Sequence, residues 1–497
     1  MKLAHVFLAA AVVAQSAVAA NENVLRVAST SVAPIGLNPY RNTGMPDIFI
    51  WSSLFDGLTR VDATGKVQPW LAVSWRAVDP LTWRITLRPN VKFSNGAPFT
   101  ADAVVNVVNF FRSPVAIKEL VARELGFLKE ARKVDDLTVD LITDVPTPHL
   151  PRALPLLYMV EPALWTKLGP EAYLATPVGT GPFKVDSFET GNLKMSAFTG
   201  SWRAPHFDKL NWIAAPEASS RTQALLADRV DIALNLGPDE IANIVAGGGK
   251  GEKWLTSIVW AIQFLHGNDT PLRNVKVRQA VNYAVDRQAI IDGLLVGATQ
   301  PGNQPGPRSG YGYDPTIPPI PYDPATAKKL LAEAGYPNGF KFTVQAVIGS
   351  GPADGAVYQK VAQDLAAIGV TMEIRPMPLS ELFRNVIEGG WTGDAFGMSF
   401  AAEPTGDVLR AMQNHSCLWR HPWYCDEAIM PTVKAAQTEF DEAKGLALRH
   451  QIMRFYHDQY MALFLYDQPR FAGVGAHISN FKEINGFINF EAITRDK

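Results

Sequence analysis

The sequence predicts an α/β protein in which strands and helices alternate around a mainly parallel sheet. Residues 340–399 place segments in the order strand, helix, strand, helix, strand, and this order favours parallel pairing. Trp83, Ile85 and Leu87 alternate with polar residues, which is the period-two pattern of a strand with one buried face. The 497 residues, 47% of them hydrophobic, allow about three domains with large buried cores.

The chain starts with the three parts of a secretory leader. Lys2 precedes an apolar run over 6–14, and small residues follow it, as in a cleaved export signal. We expect cleavage near Ala19 or Ala20, with a short buried helix as the alternative. The leader has no terminal cysteine for lipidation, and no later segment approaches the roughly 18 apolar residues of a bilayer span. These features predict a soluble, exported, periplasmic protein that is not a lipoprotein.

The next segments are typical of short strands, turns and a capped helix. Residues 25–27 and 137–141 fit strands, the latter by strict alternation. The Ser-Asn-Gly sequence at 94–96 favours a tight turn, and Thr100 can cap the helix that follows. These elements show no catalytic constellation.

The middle of the chain predicts the parallel layers. Strand-like and helix-like segments alternate over 178–263, which favours a mainly parallel sheet there. In the later repeat over 340–399, ligands of such sheets bind beyond the carboxyl ends of the strands. This rule indicates two loops, 349–355 and 400–407, as the ligand-contacting segments.

Charge and motifs exclude several function classes. The formal net charge of −2 offers no basic surface for nucleic acid or an anionic membrane. The sequence contains no Gly-x-Ser-x-Gly, His-Glu-x-x-His or phosphate-binding Gly-x4-Gly-Lys motif. We therefore expect no enzymatic activity and no cofactor, with a secreted hydrolase as the remaining non-binding alternative.

Four blocks of sequence carry a resemblance to a known family. They are residues 54–105, with the sequence TWRITLRPNVKFSNGAPFTADAVV at their end, and the blocks 177–188, 271–291 and 322–340. In this order they resemble the family 5 extracellular solute-binding proteins. Members of this family are the dipeptide, oligopeptide, nickel and glutathione receptors of bacterial ABC importers.

The resemblance implies a two-lobed periplasmic binding protein fold, type II and cluster C-like, with an extra small α/β domain. It also implies a monomer that captures a solute by lobe closure and delivers it to the ABC permease subunits in the inner membrane. The expected division is a signal peptide at 1–20, lobe I at 21–53, 178–263 and 470–497, the extra domain at 54–177, and lobe II at 264–469.

The resemblance also suggests ligand-binding residues. Peptide receptors of the family carry an aromatic residue, two residues of any kind and then an aspartate. This aspartate pairs with the ligand's ammonium group. Phe400 and Glu403 stand at the matching positions. The structural alternative is that Glu403 is solvated or forms an ion pair with Arg410. The region in which dipeptide receptors carry an arginine for the ligand carboxylate reads VIGSGPADG here, with no basic residue. A longer peptide, or a ligand with one charged end, should therefore fit better.

Four further residues are candidates for the cleft wall. Ser31 and Thr43 lie in the polar loop that lines the cleft in the family, and Trp260 and Gln263 lie on a strand near it. Three of them have a structural alternative, namely capping or solvation of the loop for Ser31 and Thr43 and core packing for Trp260.

The only cysteines, Cys417 and Cys425, lie eight positions apart near His415 and His421. An exported chain with two cysteines favours a disulfide; zinc is the weaker alternative, and no metal site is predicted.

The ligand class stays open between several solutes. Glu403 favours a peptide or a related amine-bearing solute, whereas the missing arginine and the 12 tryptophans favour an oligosaccharide. Glutathione, an opine-like compound and a nickel chelate are further alternatives.

Overall fold

The computed structural model describes residues 23–34, 36–41, 44, 46–267 and 269–496. The predicted signal peptide and Thr43 lie outside these residues. Within the described part of the chain, no helix combines the length and apolar character needed to cross a membrane.

The elements up to residue 264 include the four strands of a small sheet and several strands of a large sheet. Their bounds are β1 Val24–Ser29, α1 Asp47–Leu54, β2 Thr59–Val61, β3 Val67–Pro69, β4 Ala72–Asp79, β5 Thr82–Leu87, α2 Ala101–Phe111, α3 Leu120–Glu124, β6 Leu128–Asp135, β7 Thr138–Thr143, α4 Leu150–Ala153, α5 Pro162–Tyr173, β8 Phe183–Glu189, β9 Asn192–Ala197, β10 Lys209–Ala214, α6 Ala218–Leu226, β11 Ile232–Ala233, α7 Pro238–Ala246 and β12 Lys250–Phe264.

The later elements complete the large sheet and end in short strands. Their bounds are α8 Val275–Ala284, α9 Arg287–Leu294, α10 Pro324–Glu333, β13 Lys341–Ala346, α11 Asp354–Ala366, β14 Thr371–Pro376, α12 Leu379–Glu388, β15 Ala395–Ala401, α13 Val408–Asn414, α14 Met430–Thr438, α15 Glu442–Asp458, β16 Ala462–Val474, β17 Ile478–Ser479, β18 Glu483–Ile484, β19 Phe487–Ile488 and β20 Thr494–Arg495.

The small sheet has the order β4-β5-β7-β6 and is antiparallel throughout. Its strands β5 and β7 contain the two segments whose alternation predicted strands. Ile85 and Leu141 are fully buried, as that pattern requires. The side chain of Thr100 accepts a hydrogen bond from the N–H of Asp102 and caps α2, so this part of the prediction is confirmed.

The large sheet has ten strands in the order β14-β13-β15-β12-β16-β11-β1-β10-β9-β8. Strands β13, β14 and β15 are parallel neighbours, as the repeat over 340–399 predicts. The prediction of a mainly parallel layer over 178–263 is wrong. Strands β8, β9 and β10 form an antiparallel meander, because the two-residue turn between β8 and β9 cannot support a parallel crossover. The sheet as a whole is mixed.

Two halves of the molecule are joined by two long strands. We define the first half as residues 23–249 and 475–496 and the second half as residues 265–461. Strands β12 and β16 pair antiparallel from Lys250 and Val474 to Gln263 and Ala462, with bulges between. Their residues enter the buried clusters of both halves. The predicted lobe boundaries at 263/264 and 469/470 fall inside these strands and stay a prediction.

Candidate ligand-binding cavity

A cavity of about 270 Å³ lies where the two halves meet. From the first half, Leu120, Glu124 and Asn235 line it. From the second half, the loop after β13 and the segment after β15 line it, through residues 349–352 and Glu403. These are the two loops expected beyond the carboxyl ends of the parallel strands, so the topological rule locates the cavity correctly.

Asp354 holds the loop after β13 in shape. Its carboxylate accepts hydrogen bonds from the backbone N–H groups of Gly349 at 3.0 Å, Ser350 at 2.8 Å, Gly351 at 3.0 Å and Gly355 at 2.8 Å. The Asp354 side chain is buried, and a carboxylate bound by several N–H groups is a strong structural anchor. The loop therefore presents a fixed wall to the cavity although it carries no arginine.

A buried cluster of three charged side chains lies at one end of the cavity. Arg470 contacts Glu403 through two hydrogen bonds, at 2.8 and 3.1 Å, and its Nη1 also lies 3.4 Å from both carboxylate oxygens of Glu483. The indole N–H of Trp254 and the backbone N–H of Gly486 donate to Glu483. We call Glu403, Arg470 and Glu483 the acidic triad.

The acidic triad has two carboxyl groups for one guanidinium. Burial raises the pKa of Glu483, the Arg470 guanidinium opposes this rise and the Glu403 carboxylate adds to it, and the resulting pKa is about 7. Burial alone would lower the pKa of Arg470, but the two carboxylates outweigh it and the pKa is raised. The triad can therefore gain a further positive charge, either a proton or a cation.

A second ion pair joins the two halves across the cavity. Arg410 on α13 donates to Glu124 on α3 through Nη2 at 2.8 Å and Nε at 3.0 Å, and a further hydrogen bond from Nη1 reaches the carbonyl of Ala401 at 3.1 Å. Both residues line the cavity. The alternative pairing of Glu403 with Arg410 is not formed, because Glu124 occupies Arg410 and Arg470 occupies Glu403. We call Glu124 and Arg410 the balanced pair.

The structure brings two of the predicted site residues to the cavity. Glu403 lines it, with its carboxylate oxygens on Arg470. Trp260 also lines it and lies against the loop after β13, since a Cβ added to Gly351 would be 3.2 Å from the indole ring.

Three other predicted site residues, Phe400, Gln263 and Ser31, lie away from the cavity wall. Phe400 has no exposed surface and stacks on His415 at a ring distance of 4.1 Å. The reason is strand alternation: Ser399 and Ala401 line the cavity, so the residue between them faces the opposite side of the sheet. Gln263 is buried and donates to the carbonyl of Met398 at 3.3 Å.

The predicted loop residue Ser31 is half-buried, and its carbonyl accepts a hydrogen bond from the hydroxyl of Ser29 at 2.5 Å. It is not among the residues that line the cavity. Within that loop, the described residue that reaches the wall is Gly44.

Sequence reasoning missed both arginines as parts of the site. The expectation that a ligand carboxylate loses its family partner in the loop after β13 stays a prediction. Outside that loop, Arg410 and Arg470 line the cavity, each paired with a carboxylate. Glu403 and Arg470 are 67 positions apart, and no local pattern links them. A charged residue inside the apolar strand β16 was the one available signal, since such a residue needs a buried partner.

The predicted disulfide between Cys417 and Cys425 is confirmed, with the Cα atoms 4.5 Å apart. It closes the segment that follows α13. Glu427 lies beside the two sulfur atoms, but both sulfurs are bonded to each other and neither is a thiolate for zinc.

The two halves, the joining strands and the enclosed cavity define a ligand-binding protein of the two-lobed type. The chain belongs to the bacterial extracellular solute-binding proteins, family 5, whose sequence profile matches residues 66–411. The predicted family is therefore confirmed.

Known proteins of similar sequence and structure agree with this assignment. The chain is 32% identical over 381 residues to the glutathione-binding protein GsiB of Pectobacterium atrosepticum, covering 74% of this chain and 71% of the relative. It is similar in structure to the periplasmic binding protein DppA from Helicobacter pylori in complex with the peptide STSA. The TM-score is 0.83 at 21% sequence identity, and the match covers 95% of this chain and 98% of that one.

A dipeptide-binding protein from Pseudoalteromonas sp. SM9913 in complex with Met-Leu gives a TM-score of 0.84 at 19% identity. The match covers 95% of this chain and 100% of that one. The two structural similarities confirm the predicted fold, a type II periplasmic binding protein with mixed α/β content.

Proposed function

We propose that this chain is the periplasmic receptor of an ABC importer and that it captures a peptide or a related amine-bearing solute. The two halves close over the solute, which is passed unchanged to permease subunits in the inner membrane. The protein acts as a monomer after loss of its leader, and it is neither lipidated nor catalytic.

The single observation that carries the ligand class is the charge ratio of the acidic triad, which reaches the cavity through Glu403 and Arg470. The acidic triad has two carboxylates, Glu403 and Glu483, for one guanidinium, Arg470. The balanced pair adds one charge of each sign. A group with an ammonium charge would neutralise the excess carboxylate, and charged hydrogen bonds of this kind are strong when water is excluded.

The relatives support the same class of solute. The related GsiB proteins bind glutathione, and the two structural neighbours hold short peptides. Glutathione is itself a tripeptide with a free amino group. The arginines Arg410 and Arg470 lie close enough to the cavity to serve the carboxylate of such a ligand.

The test is a calorimetric titration of the purified protein with reduced glutathione, short peptides, their N-acetylated forms and a neutral oligosaccharide. We expect the amine-bearing compounds to bind and the acetylated forms to bind more weakly. In the variant Glu403→Gln, the affinity for the amine-bearing ligand should fall by about 2 kcal/mol or more, as for a buried charge pair that loses one partner.

The matched control is Glu189→Gln, which removes an exposed carboxylate at the end of β8 and should leave binding unchanged. Binding of the oligosaccharide alone would transfer the proposal to the sugar alternative. Release of a chemically altered compound would overturn it in favour of a hydrolase.

A further inference from the structure

A second, open basin of about 430 Å³ lies away from the ligand cavity, at the contact between the two halves. The first half contributes the turn between β2 and β3 and the helix α4, and the second half contributes a loop that precedes α10. The basin is lined by Thr64, Gly65, Lys66, Arg152, Arg308, Ser309, Gly310 and Tyr311. Three of these eight described residues are cationic and none is acidic.

Two of the three cations lack a direct counter-charge. Arg308 pairs with Asp467 at 2.7 Å. Among the described residues, neither Lys66 nor Arg152 has a carboxylate oxygen within 4.0 Å. The nearby carboxylate of Asp407 is already bound by Arg449 through two hydrogen bonds, at 2.8 and 3.0 Å. The basin therefore carries an excess of positive charge.

Arg152 is partly removed from water. Its guanidinium lies 4.4 Å above the ring of Tyr311 and donates to the carbonyl of Gly65 at 2.6 Å. Burial lowers the pKa of Arg152, which reports an incompletely compensated charge. The hydroxyl of Tyr311 is buried with no hydrogen-bond partner in the described part of the chain. A partly buried cation without a direct counter-charge is a feature that an anion would satisfy.

The basin walls belong to opposite halves and touch at its edge. Gly65 has a φ of +79°, and a Cβ at this position would lie 2.9 Å from the carbonyl oxygen of Ser309. Arg152 of the first half stacks on Tyr311 of the second. A molecule held between these walls would contact both halves at once.

We propose that this basin binds a small oxyanion, phosphate or a carboxylate, between Lys66 and Arg152 of the first half and the loop at 308–311 of the second. The guanidinium and ammonium groups supply charged donors suited to such oxygens. Because the contacts come from both halves, the bound anion favours the closed arrangement, and by linkage closure tightens anion binding. This site is independent of the solute proposed for the main cavity.

The test is a calorimetric titration of the whole protein with inorganic phosphate and, separately, acetate, at ionic strength held constant with sodium chloride. We expect saturable binding of at least one of them, and at least fivefold weaker binding in both Lys66→Gln and Arg152→Gln. Lys66 is exposed on a turn, so its variant keeps the fold if Arg152→Gln does not. The control is Lys194→Gln, an exposed cation on β9, which should bind like wild type.

The separate titrations with phosphate and acetate identify the anion, since phosphate alone, acetate alone or both can saturate the site. The proposal is overturned if neither ion binds above the chloride background, or if Lys66→Gln and a folded Arg152→Gln bind like wild type. In small-angle scattering, the saturating anion should reduce the radius of gyration of the solute-free protein. An unchanged radius would overturn the bridging role.

Discussion

The balanced pair lies on the cavity wall and the acidic triad reaches the same wall through Glu403 and Arg470, yet the two groups differ in charge ratio. Their shortest contacts are the same, 2.8 Å for Arg410 to Glu124 and 2.8 Å for Arg470 to Glu403. The first group has one carboxylate for one guanidinium, and the second has two. By this contact distance alone, the balanced pair and the acidic triad would be equivalent. The ratio indicates that the balanced pair acts as a link between the halves, whereas the triad can respond to a ligand or a proton.

The comparison predicts its largest effect for loss of the triad's cation. Arg470→Gln leaves two carboxylates buried together, and removal of one partner from a buried ion pair costs about 3–5 kcal/mol. The free energy of unfolding, measured by urea denaturation, should fall by this amount. Arg410→Gln, whose partner Glu124 is more exposed, should cost about 1–3 kcal/mol. Equal losses in the two variants would remove the distinction between the groups.

A smaller effect is expected for Glu124→Gln. If the balanced pair links the halves without contacting the ligand's charge, its loss should lower the binding affinity for amine-bearing and N-acetylated peptides alike. The expected loss is about 1 kcal/mol or roughly fivefold. The measurement is a pair of titrations on each variant. Glu403→Gln should instead weaken the amine-bearing form selectively. A selective loss in Glu124→Gln would show that the balanced pair also binds the ammonium group.

A further effect is a change in the pH dependence of stability. The pKa of Glu483, about 7 in the folded protein, lies above its ordinary value of 4.5, so the folded state holds a proton that the unfolded chain releases. The stability contributed by this group is present below the ordinary pKa and is lost as pH rises through about 7. Glu483→Gln stays uncharged, so its melting temperature should decline less than that of wild type between about pH 5 and pH 8. If the melting temperatures of wild type and variant changed with pH in parallel, the raised pKa of Glu483 would be contradicted.

The parts of the fold that depend on local pattern could be predicted from the sequence. The strands β5 and β7, the Thr100 cap and the parallel repeat of β13, β14 and β15 all follow from periodicity and turn residues within short windows. The antiparallel meander of β8, β9 and β10 was mistaken for a parallel layer, because alternation of elements does not reveal strand direction when connections are short.

The candidate site could be predicted only in part. The topological rule located both cavity loops, and family resemblance indicated Glu403. Phe400 was placed at the cavity, but strand alternation turns it into the core beside His415. The contact of Arg470 and Glu483 with Glu403 was not predicted, because it depends on the path of β16 and of the chain after it. Pairing over such separations is set by tertiary structure, so a charged residue in an apolar strand indicates a buried partner but does not identify it.

The two long strands β12 and β16 have a practical consequence for work on this protein. They pair from Lys250 with Val474 to Gln263 with Ala462, and the lobe boundaries inferred from family resemblance cut through both. A fragment ending at such a boundary would expose an unpaired strand edge, which promotes aggregation. Expression of either lobe alone is therefore a poor strategy, and truncation studies should keep both strands intact in one polypeptide.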